Sequence, residues 1–303
     1  MALSYSPFTA ILQHLSFVKR KHLVSICPSI RKHEENYPYH LDVLNIDGSE
    51  KTIRIDSLLI RFGKSAEGTT KCQMSIGTQR KVRVPIPNCS ETDAAEKFAL
   101  YHLSRAGTTI KDMRFQDSPT YILKCTPLRI RNLRIFCCWS SAPEGFASWV
   151  PTLMSVQYLE TNSIIEDDTI SNARRVIVDD GLITLNIVSI DMPPILIEWN
   201  CYQLEVALSF NLQGIVDYCR EMAKRSRPIG SSFTSIIKHQ NVECSTLDWF
   251  AAKAGGRKTW WNGRKCATIT IDETTELNLH GDEEMFSEKL VIEVNAKGTA
   301  KDR

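Results

Sequence analysis

The densest group of cations and aromatics in the chain is KAGGRKTWWNGRK, residues 253–265. Trp260 and Trp261 are the residue type that stacks on bases, and Arg257, Lys258 and Arg264 the type that contacts phosphate, which together would make a nucleic-acid site. The competing reading is a solvated loop whose tryptophans fold back onto a sheet. The charge balance favours the loop: the net charge is only +2, whereas a dedicated nucleic-acid binder draws its affinity from many clustered cations. The same stretch fails as a phosphate-cradling loop. Arg257 separates Gly256 from Lys258, and no glycine stands at the upstream position such a loop needs.

Other reactive residue types are present without the spacing that makes a site. His14, His22, His33, His40, His102, His239 and His280 are scattered. No Gly-x-Ser-x-Gly turn presents a serine, and GSSF at 230–233 lacks the second glycine. The ten cysteines contain no Cys-x-x-Cys pair, and only Cys137 and Cys138 are close. A zinc site needs ligands paired at short spacing, so these read as reduced thiols behaving as small hydrophobes. Asp167-Asp168 and Asp179-Asp180 lie in turn contexts, the second before Gly181. No catalytic residue, metal ligand or cofactor site is assigned, and no cofactor is expected.

The elements that would position any site suggest a mixed fold, α+β or α/β. With 303 residues, 43% of them hydrophobic and 24% charged, the chain can build its core without disulfides or metals. It lacks a signal-peptide pattern and any apolar run of membrane-spanning length, so a cytoplasmic or nuclear location is expected rather than secretion. Helical spacing runs through 7–16 and 18–34, interrupted by Pro28. Leu41 to Ile55 reads as a hairpin around Asp47-Gly48, extended by LLIRFG at 58–63. Residues 63–80 read as an exposed loop. Ser90 is a candidate N-cap for a helix ending at Gly107. Five strand-like runs follow: IKDMRF at 110–115, NLRIF at 132–136, VQYLE at 156–160, RRVIV at 174–178 and ILIEW at 195–199. Starts about twenty residues apart suggest irregular leucine-rich-like repeats, with a mixed sheet of chance spacing as the alternative. A helix is expected from about Leu212 to Lys224, then the strand SSFTSII, the helix STLDWFAAKAG, the strands CATITI and LVIEVN, and a frayed tail. The expected organisation is a helical hairpin over 1–36, a small sheet with a helix over 37–107, the repeats over 108–210 and an α+β segment over 211–303, with one continuous body from 37 on.

Three stretches carry a family resemblance. SYSPFTAILQHLSFVKRKHLVSICPSIRKHEENYPYHLDVLNI, IVDYCREMAKRSRPIGSSFT and KLVIEVNAKGTA together resemble a nematode-expanded family of uncharacterised proteins, a domain of unknown function related to F-box and F-box-associated proteins. The opening is similar to a shortened F-box, although Tyr5-Ser6-Pro7 stands where a Leu-Pro start is usual and Tyr37-Pro38-Tyr39 replaces the third helix. The apolar hairpin, the repeat-like region and the absence of catalytic motifs point to a non-enzymatic protein–protein interaction module, and the resemblance adds an F-box-like substrate receptor of a ubiquitin ligase as the form it would take. Its partners would be a Skp-type adaptor and a protein substrate. The expected adaptor contacts are Leu12, Leu15, Phe17, Leu23 and Pro28, unless those apolar residues pack on the chain's own core. An enzyme with a site assembled from distant residues remains the alternative.

Overall fold

The structure, a computed structural model, describes residues 5–77, 82–117, 120–125, 128–136, 155–161, 173–178, 191–192, 194–199, 201–207, 210–225, 227–237, 244–284 and 287–302. The turns expected at Asp167-Asp168 and Asp179-Asp180, the Cys137-Cys138 pair and His239 lie outside the described residues. Helix and strand are mixed, and the chain divides into two compact units, Met1–Leu159 and Glu160–Arg303.

The first unit opens with α1 (Tyr5–His14), α2 (Phe17–Ile26), a 3₁₀ turn (Pro28–Ile30) and α3 (Arg31–Glu34). Pro28 sits at the first position of the 3₁₀ turn, where a missing N–H costs nothing. Strands β1 (His40–Asp47), β2 (Thr52–Ile55), β3 (Leu58–Lys64), β4 (Thr70–Ile76) and β5 (Val82–Ile86) form an antiparallel meander. Asp47 builds the first turn by accepting from Ser49 Oγ at 2.7 Å and Glu50 N at 2.8 Å. A side chain at Gly48 would strike the Asp117 carbonyl at 2.4 Å. Part of the stretch expected as a loop over 63–80 is instead β4. Its polar residues alternate with Thr70 and Cys72, which are buried, so tertiary pairing overrides a weak local pattern.

Helix α4 (Glu91–Leu103) begins at Ser90, whose Oγ accepts from Asp93 N at 3.0 Å. It returns the chain to the other side of β1, where β6 (Thr109–Gln116) and β7 (Arg129–Phe136) pair in parallel. The strand order is β5-β4-β3-β2-β1-β6-β7.

Within the parallel strands one burial pattern repeats. Leu41, Leu44 and Ile46 are buried on β1, Ile110 and Met113 on β6, and Ile130, Leu133 and Ile135 on β7. The register aligns them: Leu41 with Ile110 and Ile130, Leu44 with Met113 and Leu133, Ile46 with Phe115 and Ile135. The spacing is three, then two. Strict alternation would send residues three apart to opposite faces, so each strand bends between the first and second buried positions. Val156 and Leu159 are buried with the same interval as β8 (Tyr158–Thr161) begins.

In the second unit β9 (Arg175–Val178), β10 (Gln203–Val206) and β11 (Ser232–Ile237) are also parallel. The spacing returns in Ala173, Val176 and Val178, and in Cys201, Leu204 and Val206, all buried. ILIEW is not a strand. It forms the short helix α5 (Pro194–Glu198), with Pro194 leading, and the strand of that segment falls later, at β10. Helix α6 (Leu212–Lys224) is capped by Asn211 on Gly214 N at 2.6 Å. It buries Ile215, Val216, Cys219 and Met222. Helix α7 (Cys244–Ala254) leads into β12 (Arg257–Trp261), β13 (Arg264–Thr270), β14 (Thr275–Glu284) and β15 (Ser287–Ala296). These strands are antiparallel, and β15 pairs with β11.

The tail is not frayed. Lys301–Asp302 forms β16 against β12. The buried Glu276 carboxylate explains it, accepting from Ala300 N at 2.8 Å, Thr299 Oγ1 at 3.0 Å and Gly298 N at 3.2 Å. The order in this unit is β9-β10-β11-β15-β14-β13-β12-β16.

Candidate interaction surface

The expected adaptor contacts separate by burial. Leu12 is 0% and Phe17 2% exposed. Leu15 and Leu23 are half-buried and Pro28 is exposed. A surface hook made from Leu12 and Phe17 is therefore corrected: both side chains already pack inside the first unit. Phe17 lies 4.9 Å from the Tyr39 ring and 5.2 Å from the His102 ring, centroid to centroid.

A charge network fixes this packing. Glu34 is 0% exposed. Arg105, just beyond α4, grips its carboxylate with two nitrogens, at 3.0 and 3.1 Å. Arg20 lies at 3.2 Å, Lys21 at 3.2 Å, and Tyr39 donates its hydroxyl at 2.7 Å. Arg20 also donates to the carbonyls of Pro38 at 2.6 Å, Tyr37 at 3.0 Å and Glu34 at 3.1 Å, satisfying acceptors left over where α3 ends. Burial would raise the Glu34 carboxyl, but the donors from Arg105 and Tyr39 outweigh it and hold it down to about 2. Burial pushes His102 down to about 3, with Lys21 and Arg105 adding to the effect. This network binds helix to sheet.

The basic-aromatic stretch is also resolved into structure. Residues 257–261 are a strand, so Trp260 and Trp261 point to opposite faces and cannot stack on one ligand together. Trp260 is 42% exposed, while Trp261 lies against His280 at 4.9 Å. Three cations of the stretch already face carboxylates: Arg257 meets Glu276 at 2.8 Å and also Asp302, Lys258 meets Asp248 at 2.8 Å, and Arg264 meets Asp282 at 3.1 Å.

No nucleophilic centre takes shape among the described residues. In GSSF, Gly230 has φ +88°, and a side chain there would also clash with the Tyr202 hydroxyl. Ser231 is buried. Burial raises the Cys125 and Cys201 thiols to about 11 and Cys219 to about 12, so all three stay protonated at neutral pH. No group of three or more His, Cys, Asp or Glu among the described residues has the arrangement of a metal site. No helix there is long and apolar enough to cross a membrane.

The open side of β1, β6 and β7 is different. Because each strand bends between its first two buried positions, consecutive residues face away from the core: Asp42 and Val43, Lys111 and Asp112, Arg131 and Asn132. Two cavities follow one another along these strands. The larger, about 500 Å³, is lined by His40, Asp42, Lys111, Arg129, Arg131 and Gln157 among others. The smaller, about 250 Å³, is lined by Asn45, Asp112, Arg114, Asn132 and Arg134 among others. Polar contacts organise both. His40 Nδ1 lies 2.7 Å from Thr109 Oγ1, Arg131 Nε donates to Gln157 at 3.2 Å, and Asn132 donates to Asp112 at 2.6 Å. Arg114 lies over the Phe136 ring at 4.7 Å.

Apart from His40, none of these open-face residues was singled out from the sequence. Their signal was available in the three-then-two apolar spacing, which a search for strict alternation or for helical period passes over. No family model, curated protein or solved structure matches the chain.

Proposed function

We propose that this protein is a non-enzymatic interaction scaffold built on irregular leucine-rich-like repeats, and that the open side of β1, β6 and β7 is its partner face. The observation that carries this reading is the in-register ladder of Leu41, Ile110 and Ile130 with Leu44, Met113 and Leu133. Stacked parallel strands bury a continuous apolar row on one side and leave a continuous row of polar side chains on the other. That is the physical basis of recognition by repeat proteins. Membership of the nematode-expanded family related to F-box-associated proteins is part of the proposal, resting on the three sequence stretches given above. Its adaptor arm is weakened by the burial of Leu12 and Phe17.

Photo-crosslinking tests the reading. A benzophenone amino acid placed at Asn132, in the smaller cavity, should give a discrete crosslinked species in cells. The same probe at Glu67, in the exposed turn before β4, should not. At Ile26, which is 66% exposed at the end of α2, it should also give none. A species from Ile26 and none from Asn132 would move the partner to the helical segment and overturn the assignment.

A further inference from the structure

We propose that Lys21 is a reactive amine, placed to capture a small aldehyde with an aliphatic tail as an imine, in a groove between α2 and the sheet edge of the first unit. The site is separate from the partner face and does not depend on it. The sheet builds the groove. The face of β3 that buries Leu58, Ile60 and Phe62 continues in register through Ile76 and Met74 of β4 to Val82 of β5. Burial fades along that row, and Val82 is 52% exposed. Val18 and Lys21 of α2 line a cavity of about 310 Å³ with Leu58, Met74, Ile76 and Val82. That volume lies at the lower end of small-molecule sites, and the lining is mainly apolar.

The charge network makes Lys21 the group that gives way. One buried carboxylate, Glu34, serves Arg20 at 3.2 Å, Lys21 at 3.2 Å and Arg105 at 3.0 Å. A guanidinium stays charged at neutral pH, so among the three only Lys21 can shed its proton. Burial lowers the Lys21 amine to about 8, against the pull of Glu34 and with the help of Arg105 and Arg20. The other groups that face it are the rings of Phe17, Tyr39 and Tyr101, at 5.6, 5.3 and 5.9 Å, and the neutral His102. His22 lines the same cavity. A lysine of ordinary value is almost wholly protonated at pH 7, whereas about a tenth of Lys21 is the free amine. The side chain is 27% exposed, so the amine is within reach of a ligand. The free amine adds through its lone pair to the aldehyde carbon, and its proton passes to the oxygen. Loss of one water leaves the imine, which takes up a proton and lies as a cation beside Glu34. No oxidant or reductant enters this step.

The test treats the full chain at pH 7 with hexanal and sodium cyanoborohydride, whose hydride reduces the imine to a stable secondary amine. Labelled lysines are then mapped by tandem mass spectrometry. Lys21 should be labelled about tenfold or more faster than the exposed Lys19 and Lys32. That advantage should shrink as pH is raised past about 8, where Lys21 has already lost its proton. Glyceraldehyde, which has a polar tail, should favour Lys21 over Lys19 about threefold less than hexanal does. Lys21→Arg keeps a cation beside Glu34 and should lose the fast phase of whole-protein labelling. Should that variant fail to fold, Lys21→Met gives the same readout. Labelling of Lys21 no faster than of Lys19 and Lys32, an equal preference for both aldehydes, or a fast phase that survives in the variant would each overturn the inference. The Asn132 crosslink is read independently of all three, so the partner face stands or falls on its own.

Discussion

Two clusters of the same residue types in the first unit are treated in opposite ways. Around Glu34, Arg20, Lys21 and Arg105 converge on one buried carboxylate and on the carbonyls of residues 34, 37 and 38. On the open side of β6 and β7, Lys111, Arg114, Arg129, Arg131 and Arg134 stand exposed, with Arg114 and Arg134 side by side in register. In the first cluster, charge spends its interaction energy inside the chain, holding α2, α3, α4 and β1 together. In the second the cations stand at the surface, where Arg114 lies over the Phe136 ring and Arg131 donates to Gln157. The contrast teaches that the number of cations in a stretch says little about binding. What matters is whether the fold has already supplied their anions, as it also has for Arg257, Lys258 and Arg264.

The largest expected effect breaks the buried cluster. Glu34→Gln removes the charge that compensates three cations, one of them half-buried and two buried. It should cost about 3–5 kcal/mol in urea unfolding. A loss under about 1 kcal/mol would mean that the carbonyls alone hold Arg20 and Arg105, and the contrast would fail.

A second effect is read through pH. His102 is held neutral in the fold down to about 3, against an ordinary value of 6.5. Between these values the unfolded chain binds a proton that the folded chain refuses. Stability is therefore complete above 6.5 and falls as pH drops through this window, by at most about 1.4 kcal/mol per pH unit. His102→Phe keeps an aromatic ring beside Phe17, Tyr39 and Phe98. It should reduce the slope of the stability profile between pH 6.5 and 4.5, leaving the part due to His280, which burial also pushes down. Below 4.5 a slope should remain, because Glu34, held down to about 2, then takes up a proton preferentially in the unfolded chain. An unchanged profile between 6.5 and 4.5 would show that another group governs it.

The smallest effect sharpens the other side of the comparison. Neutralising the open face with Arg114→Gln and Arg131→Gln should leave unfolding stability within about 0.5 kcal/mol, with any change a gain at low salt. A loss above about 2 kcal/mol would show that these arginines hold the fold together, and the distinction between the clusters would disappear.

Several elements were legible because their signals are local. The helix at Leu212–Lys224 follows from apolar residues at helical spacing. The cap at Ser90 follows from a hydroxyl followed by acidic residues, and the turn after β1 from Asp47-Gly48. Three expectations failed, the last two because the deciding partner is distant. ILIEW is a short apolar run, which periodicity cannot assign, and Pro194 sets it as a helix start. The polar stretch 70–76 is a strand because β3 and β5 pair with it on either side. The tail is ordered because Glu276, more than twenty residues earlier, collects its N–H groups.

By itself the sequence determined a mixed fold, most helix positions and the absence of any local catalytic motif, since these depend on neighbours within a few residues. It also placed four of the five strand-like runs, at β6, β7, β8 and β9. Only the tertiary structure decided which charges are buried against carboxylates and which lie at the surface. Glu34 and Arg105 are 71 residues apart, as Asp47 and Gln116 are 69 apart. Whether a cation meets a carboxylate across such a distance is set by the register of strands and the docking of helices, and no local pattern encodes it.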